Sequence, residues 1–137
     1  MMVREGSLAD HFRRIAREAG WTVALLPGEA LRSWEEMVDE CADGYDLDVS
    51  EYLNDLSVRD LLQLVADDAK VRSLPEFSWF TAELARIDEG FRTVLANGPL
   101  IRTEERRWWR RSFPAAGRGD FVSDVKERYG VELTLVD

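Results

Sequence analysis

The residues of this chain that could perform chemistry are few and lie far apart in the sequence. Catalytic triads and dyads need a histidine beside a nucleophile, and the chain has one histidine, His11, and one cysteine, Cys41. Ser7 lies four residues before His11 but is a natural N-cap for the helix that follows. Cys41 falls on an apolar helix face, where burial raises the pKa of a thiol and leaves it unreactive. We therefore predict no catalytic residue, no metal site and no cofactor, because one cysteine and one histidine cannot form a structural zinc site.

The strongest candidate binding site is a run of carboxylates. Residues 35–68 contain twelve acidic residues and a single basic one, Arg59. Glu36 and Glu40 are four residues apart, a spacing at which like charges on a helix repel by about 0.2–0.5 kcal/mol. A solvated helix face and a surface for a basic partner both explain this pattern, and a carboxylate pair for acid–base chemistry remains an alternative. The candidate binding residues are Glu35, Glu36, Asp39, Glu40, Asp43, Asp46 and Asp48.

Part of this acidic run has the spacing of a calcium-binding loop. Asp46, Asp48 and Ser50 alternate as the first ligands of an EF-hand do. Such a loop needs glycine at its sixth position and glutamate at its twelfth, where this chain has Glu51 and Ser57. Aspartate and serine are also ordinary turn residues, so we interpret residues 45–56 as a turn-rich connector that binds no calcium.

A second candidate interface is a basic segment with two adjacent tryptophans. Tryptophan and arginine are enriched in protein hot spots, and aromatic rings among arginines can also stack on single-stranded nucleic acid. The formal net charge of −9 opposes nucleic acid. The alternative is internal, with a tryptophan packed on the core and the arginines paired with the acidic residues 35–68. The segment comprises Arg106, Arg107, Trp108, Trp109, Arg110 and Arg111.

Hydrophobic spacing and cap residues predict the elements that position these groups. Apolar residues recur at helical spacing in six segments, which predicts a bundle of five or six helices. The expected helices are residues 7–19, 29–42, 57–69, 77–95, 103–113 and 120–129, with Ser57 as the N-cap of the third. Residues 21–26 and 131–136 are rich in strand-forming residues, and they either pair as a small two-stranded sheet or remain separate.

Length and composition favour one mostly α-helical domain over residues 1–137, because hydrophobic cores rarely divide below about 250 residues. No apolar run approaches the ~20 residues that a membrane helix needs. Residues 1–6 lack the apolar stretch of a signal peptide, and a single cysteine forms no internal disulfide. We therefore expect a cytoplasmic protein that does not enter membranes.

The segment LSVRDLLQLV, residues 56–65, resembles a helix of small bacterial immunity proteins. This resemblance covers about ten residues and is compatible with an acidic protein that neutralises a basic partner by presenting carboxylates in place of phosphates. We expect such a non-enzymatic interaction module. The alternatives are a small-molecule-binding protein or enzyme with an acidic pocket lined by Trp34 and Tyr45, and a structural subunit that docks through the Arg/Trp segment.

Overall fold

Seven α-helical segments and one short sheet form the fold of residues 7–136, the part of the chain that the computed structural model describes. Residues 1–6, where the sequence predicts no signal peptide, lie outside the described residues. The helices are α1 (Leu8–Glu18), α2 (Pro27–Asp43), α3 (Val49–Asp55), α4 (Ser57–Asp67), α5 (Ala69–Arg72), α6 (Phe77–Leu95) and α7 (Gly119–Tyr129). The predicted mostly α-helical fold with a small two-stranded sheet is confirmed. None of the described helices has the length and apolar character to cross a membrane.

Local sequence signals position the long helices. Ser7 Oγ accepts a hydrogen bond from the Asp10 N–H at 3.3 Å, and the Asp10 carboxylate accepts one from the Ser7 N–H at 3.1 Å, which is a capping box. The predicted apolar face of α6 is buried, including Leu84 and Phe91. Helix α6 packs most closely against α2, where the Phe91 ring meets the Trp34 ring edge-on with centroids 4.9 Å apart.

A buried ion pair joins α2, α4 and α6. The Arg59 guanidinium donates from Nε and Nη2 to the two carboxylate oxygens of Asp88 at 2.8 and 2.9 Å. Trp34 Nε1 donates to the same carboxylate at 2.9 Å. Arg59 is only 3% exposed, and its guanidinium carbon lies 4.1 Å from the Trp109 ring centroid. The one basic residue in the acidic run 35–68 is therefore in the core and neutralises none of the acidic surface.

The connector between α2 and α4 forms a helix of its own. Asp48 caps α3 by accepting a hydrogen bond from the Glu51 N–H at 2.9 Å. Helix α3 packs on α4 at one side and α7 at the other, and Asp124 of α7 accepts a hydrogen bond from the Val49 N–H at 2.8 Å. The predicted N-cap role of Ser57 is wrong, because the chain is already helical at Leu56 and Ser57 lies in the first turn of α4.

The small sheet has a different partner strand from the one expected. Strand β1 (Ala116–Gly117) pairs in parallel with β2 (Thr134–Leu135). Of the two alternatives for residues 21–26 and 131–136, the pairing is the one that does not occur, because residues 21–26 form no strand. Gly117 permits the observed pairing, because a Cβ at this position would lie 2.8 Å from the Phe121 ring.

The predicted helix at residues 103–113 is also wrong. Only a 3₁₀ turn, Trp108–Arg110, is present. The chain folds back on itself instead: the N–H groups of Ile101 and Arg102 both donate to the Arg111 carbonyl, at 2.8 and 3.0 Å. A continuous helix over residues 103–113 would rise about 1.5 Å per residue and carry the Arg111 carbonyl more than roughly 10 Å away from these N–H groups, so the helix and the two bonds exclude each other.

Candidate functional site

The outer side of α2 carries most of the candidate carboxylates. Trp34, Met37 and Cys41 face the core, so the acidic residues between them project toward solvent. Burial of Cys41 raises the pKa of its thiol, and the negative charge of Glu40 adds to this, as expected for an unreactive cysteine. The acidic residues on this side are Glu35, Glu36, Asp39, Glu40 and Asp43, of which only Glu35 is partly buried.

Glu35 is separated from the others by an ion pair of its own. Arg86 on α6 donates from Nη1 to the Glu35 carboxylate at 2.6 Å, and from Nη2 to Glu83 at 2.9 Å. The hydrogen bond from Arg86 is the main reason that the pKa of Glu35 lies below its usual value. Glu35 therefore already has a cation partner within the molecule, which it shares with Glu83.

Glu36 and Glu40 meet a third carboxylate, Asp55, in one surface groove. The groove encloses about 400 Å³ between α2, the end of α3 and the α1–α2 connector. The lining side chains include no lysine, arginine or histidine, and neither Glu36 nor Glu40 takes part in an ion pair within residues 7–136. The groove is lined by Trp21, Val23, Leu25, Ser33, Glu36, Met37, Glu40, Asn54, Asp55 and Val58. We call it the acidic groove.

The carboxylates of the acidic groove affect one another. Loss of hydration beside neighbouring atoms raises the pKa of Glu40 although its side chain is exposed, and the negative charges of Asp55 and Glu36 raise it further. Asp55 is held in place by Tyr45, whose hydroxyl donates to Oδ2 at 2.6 Å. Burial and this hydrogen bond raise the pKa of Tyr45, so the phenol stays protonated and remains a donor. None of the three groove carboxylates therefore has an ion-pair partner among residues 7–136.

One wall of the acidic groove is apolar and is positioned by the end of α1. The Gly20 N–H donates to the Arg17 carbonyl, and the Trp21 N–H donates to the Ala16 carbonyl at 2.9 Å, the two bonds of a Schellman motif. Gly20 has φ +93°, a conformation that side-chain-bearing residues rarely adopt. The chain then continues as residues 21–25, which we call the apolar wall. Its Val23 side chain is 65% exposed.

The other candidate acids do not join the groove. Asp39 and Asp43 are exposed on α2 but do not line it, and Asp46 is exposed in the connector. Asp48 is used as the cap of α3. Although Glu36, Glu40 and Asp55 line one groove, no three potential ligands among residues 7–136 lie close enough together to hold a metal ion.

Much of the Arg/Trp segment is engaged inside the molecule. Asp60 on α4 accepts hydrogen bonds from Trp109 Nε1 at 2.8 Å, from Arg110 Nη2 at 2.7 Å and from Arg107 Nη1 at 3.3 Å. The guanidinium carbon of Arg92 lies over the Trp108 ring, 3.8 Å from the ring centroid. Asp60 belongs to the acidic run 35–68, so these arginines pair with that run but not with the α2 carboxylates.

Three arginines of this segment are exposed, and one of them, Arg107, is paired with Glu105 and Asp60. Arg106 is exposed, and Arg111 is exposed with its Nε donating to the Glu105 carbonyl. The segment therefore presents two cations without an ion pair in residues 7–136, Arg106 and Arg111, and not a continuous basic and aromatic face.

Trp34 and Tyr45, which were expected to line an acidic pocket, are 0% and 1% exposed and lie in the core of residues 7–136. The groove instead uses Trp21, which lies in a segment rich in strand-forming residues, and Asp55, which is not among the predicted site residues. The helix-ending Gly20 was the one local signal for the position of Trp21. Comparison with protein families, curated proteins and solved structures finds no match to this chain. Its function must be inferred from the chemistry of the groove.

Proposed function

We propose that this chain is a non-enzymatic interaction module that binds a basic partner protein, and that the acidic groove accepts an arginine or lysine side chain of that partner. The observation that carries the proposal is the convergence of Glu36, Glu40 and Asp55 in a groove that no described basic residue neutralises. Three carboxylates held close together repel, and an incoming cation removes that repulsion while gaining charge-assisted hydrogen bonds.

The groove also matches the apolar part of a long basic side chain. Arginine and lysine have an aliphatic stem that packs on apolar surface while the charged end seeks polar partners. The apolar wall offers Trp21, Val23 and Leu25 beside the carboxylates. An indole face can in addition attract a cation. The groove therefore favours a basic side chain over a free metal ion, which would gain nothing from the wall.

The surface around the groove supports a basic protein as the partner. Asp39 and Asp43 extend the negative surface along α2 without joining the groove, and the net charge is −9. Such a field steers a basic partner toward the site and speeds association. An enzyme whose cationic surface holds nucleic-acid phosphates is a partner of this kind. We propose that the encounter is cytoplasmic, because the one cysteine, Cys41, is buried and makes no disulfide.

The test measures binding of a capped tripeptide, acetyl-Ala-Arg-Ala-amide, by ¹⁵N–¹H NMR, with citrulline in place of arginine as the uncharged probe. We expect the arginine peptide alone to shift the Trp21 indole N–H resonance, which a Trp21→Phe variant assigns. Glu36→Lys combined with Glu40→Lys should weaken binding by about tenfold or more, because it replaces the two unpaired carboxylates by cations.

The matched control is Asp39→Lys combined with Asp43→Lys, which makes the same charge change at the same spacing on the same helix. It should weaken binding much less, because these residues act only through the long-range field. The groove variant should keep or raise the melting temperature, since it relieves repulsion. Equal losses in both variants, or equal binding of both peptides, would refute the proposed groove. A drop in melting temperature with unchanged binding would leave the carboxylates as structural residues only.

A further inference from the structure

We infer that the partner segment also carries a carboxylate, and that this carboxylate binds to Arg13 and Arg17 in a second cleft on the opposite side of the apolar wall. The inference rests on the proposed function, because it adds a second contact to the segment that fills the acidic groove. It predicts a dipolar partner segment, in which a basic and an acidic side chain lie close together.

The second cleft is built from α1 and the apolar wall. It encloses about 140 Å³. It shares Trp21, Val23 and Leu25 with the acidic groove, so the two clefts are separated only by this short piece of chain. Its lining residues are Arg13, Ala16, Arg17, Trp21, Thr22, Val23, Ala24 and Leu25. We call it the basic cleft.

The two arginines of the basic cleft are not used within the described fold. Arg13 and Arg17 are exposed, and neither makes an ion pair within residues 7–136. Arg14, which lies between them, is paired with Glu18 at 3.7 Å and with Asp68 at 3.1 Å. Arg17 gains some stabilisation from the carbonyl end of α1, but this effect fades within one turn and does not reach Arg13. Arg13 and Arg17 are four residues apart on α1, so their positive charges repel each other, just as the negative charges of Glu36 and Glu40 do on α2.

The arrangement has a direct consequence for recognition. The two helices facing the apolar wall each carry an unneutralised pair of like charges, and the signs are opposite. A partner segment with a cation and a carboxylate would satisfy both pairs and bury apolar atoms on Trp21 and Val23 between them. A purely basic segment would leave the arginines unsatisfied and would meet their repulsion. Charge complementarity of this kind fixes the orientation of a bound segment and rejects wrong partners.

The test uses peptides with arginine and glutamate separated by zero, one or two alanines, each compared with its glutamine counterpart. At the best separation we expect the glutamate peptide to bind the unmutated protein about threefold more tightly, because a partly exposed ion pair contributes only modestly to affinity. Arg13→Gln combined with Arg17→Gln should remove this preference and leave the affinity of the glutamine peptide unchanged or improved. The Trp21 indole resonance reports on both clefts.

The matched control is Arg102→Gln combined with Arg106→Gln, which removes two exposed arginines at the same spacing elsewhere on the surface. It should keep the preference for glutamate. The inference is overturned if glutamate and glutamine peptides bind equally, or if the preference survives loss of Arg13 and Arg17. It is also overturned if the control removes the preference equally, which would mean that bulk charge is responsible.

The failures of the two proposals are distinguishable. Binding of the arginine–glutamine peptides without any preference for glutamate keeps the acidic groove and overturns the basic cleft. If arginine peptides do not bind, citrulline–glutamate peptides test the basic cleft alone. Their binding, lost in the Arg13→Gln, Arg17→Gln variant, would support a carboxylate site and overturn the acidic groove. Absence of binding by every peptide overturns both.

Discussion

Replacing Asp88 by alanine should lower the free energy of unfolding by about 3–5 kcal/mol, the usual cost of removing one partner from a buried ion pair. Asp88 accepts three hydrogen bonds, two from Arg59 and one from Trp34, at 2.8–2.9 Å. Without it the guanidinium remains in the core with no counter-charge. Arg59 Nη1 already lacks a hydrogen-bond partner, so the Trp109 ring is the nearest remaining source of stabilisation.

This loss is large against the 5–15 kcal/mol that stabilises a typical domain, so it should be plain in urea unfolding followed by circular dichroism and tryptophan fluorescence. The matched control is Glu83→Ala, which removes an exposed partner of Arg86 and should cost less than about 1 kcal/mol.

A double variant separates the charge from the packing. Asp88→Leu combined with Arg59→Met removes both charges together and should recover most of the stability, because apolar replacement of a buried pair is often neutral. If Asp88→Ala costs less than about 1 kcal/mol, the guanidinium is hydrated and the pair does not lie in a dry core. If the double variant is no more stable than Asp88→Ala, packing and not charge explains the loss.

Three further predictions test other parts of the fold. Cys41 should react with a thiol reagent only as fast as the protein opens, because it is buried; labelling within seconds under native conditions would contradict its structural role. Leu84→Ala should cost about 2–5 kcal/mol in urea unfolding, since it leaves a cavity on the buried face of α6, whereas a cost under about 1 kcal/mol would place that face at the surface. Glu40→Gln should raise the melting temperature at pH 7, because loss of hydration, Asp55 and Glu36 raise the pKa of Glu40, so that its ionised form disfavours the folded state. This gain should vanish below about pH 4, where the carboxyl group is protonated in folded and unfolded chains alike, and a lower melting temperature at pH 7 would show that Glu40 has a cation partner.

The sequence predicts well those parts of the fold that depend on residues within a few helical turns of one another. The capping box at Ser7 and the apolar face of α6 depend on neighbouring residues only, and both follow from spacing. The helix predicted at residues 103–113 failed because competing bonds from Ile101 and Arg102 to the Arg111 carbonyl depend on a chain reversal. Periodicity carries no information about such a reversal.

The sequence predicts the acidic character of the candidate site and the helix that carries it, but not all of the residues that form it. An acidic site on α2 follows from the charge run, and Glu36 and Glu40 belong to the groove. Its third carboxylate, Asp55, comes from α3 and its wall from Trp21, and only tertiary packing brings them to α2. The burial of Arg59 could not be predicted from its neighbours in sequence either. It is a charged residue in an acidic run, and its burial is explained only by its partner Asp88, 29 residues away.

The position of α3 couples the acidic groove to the far end of the chain. Its last residue, Asp55, lines the groove, whereas its first N–H, on Val49, is held by Asp124 of α7. Helix α7 in turn packs on the two-residue strands β1 and β2, a region with few backbone bonds that should open more readily than the α2–α6 core. Opening of α7 would release the start of α3 and loosen Asp55. By linkage, a cation bound at Asp55 should therefore slow amide hydrogen exchange in α7, a helix that it does not touch.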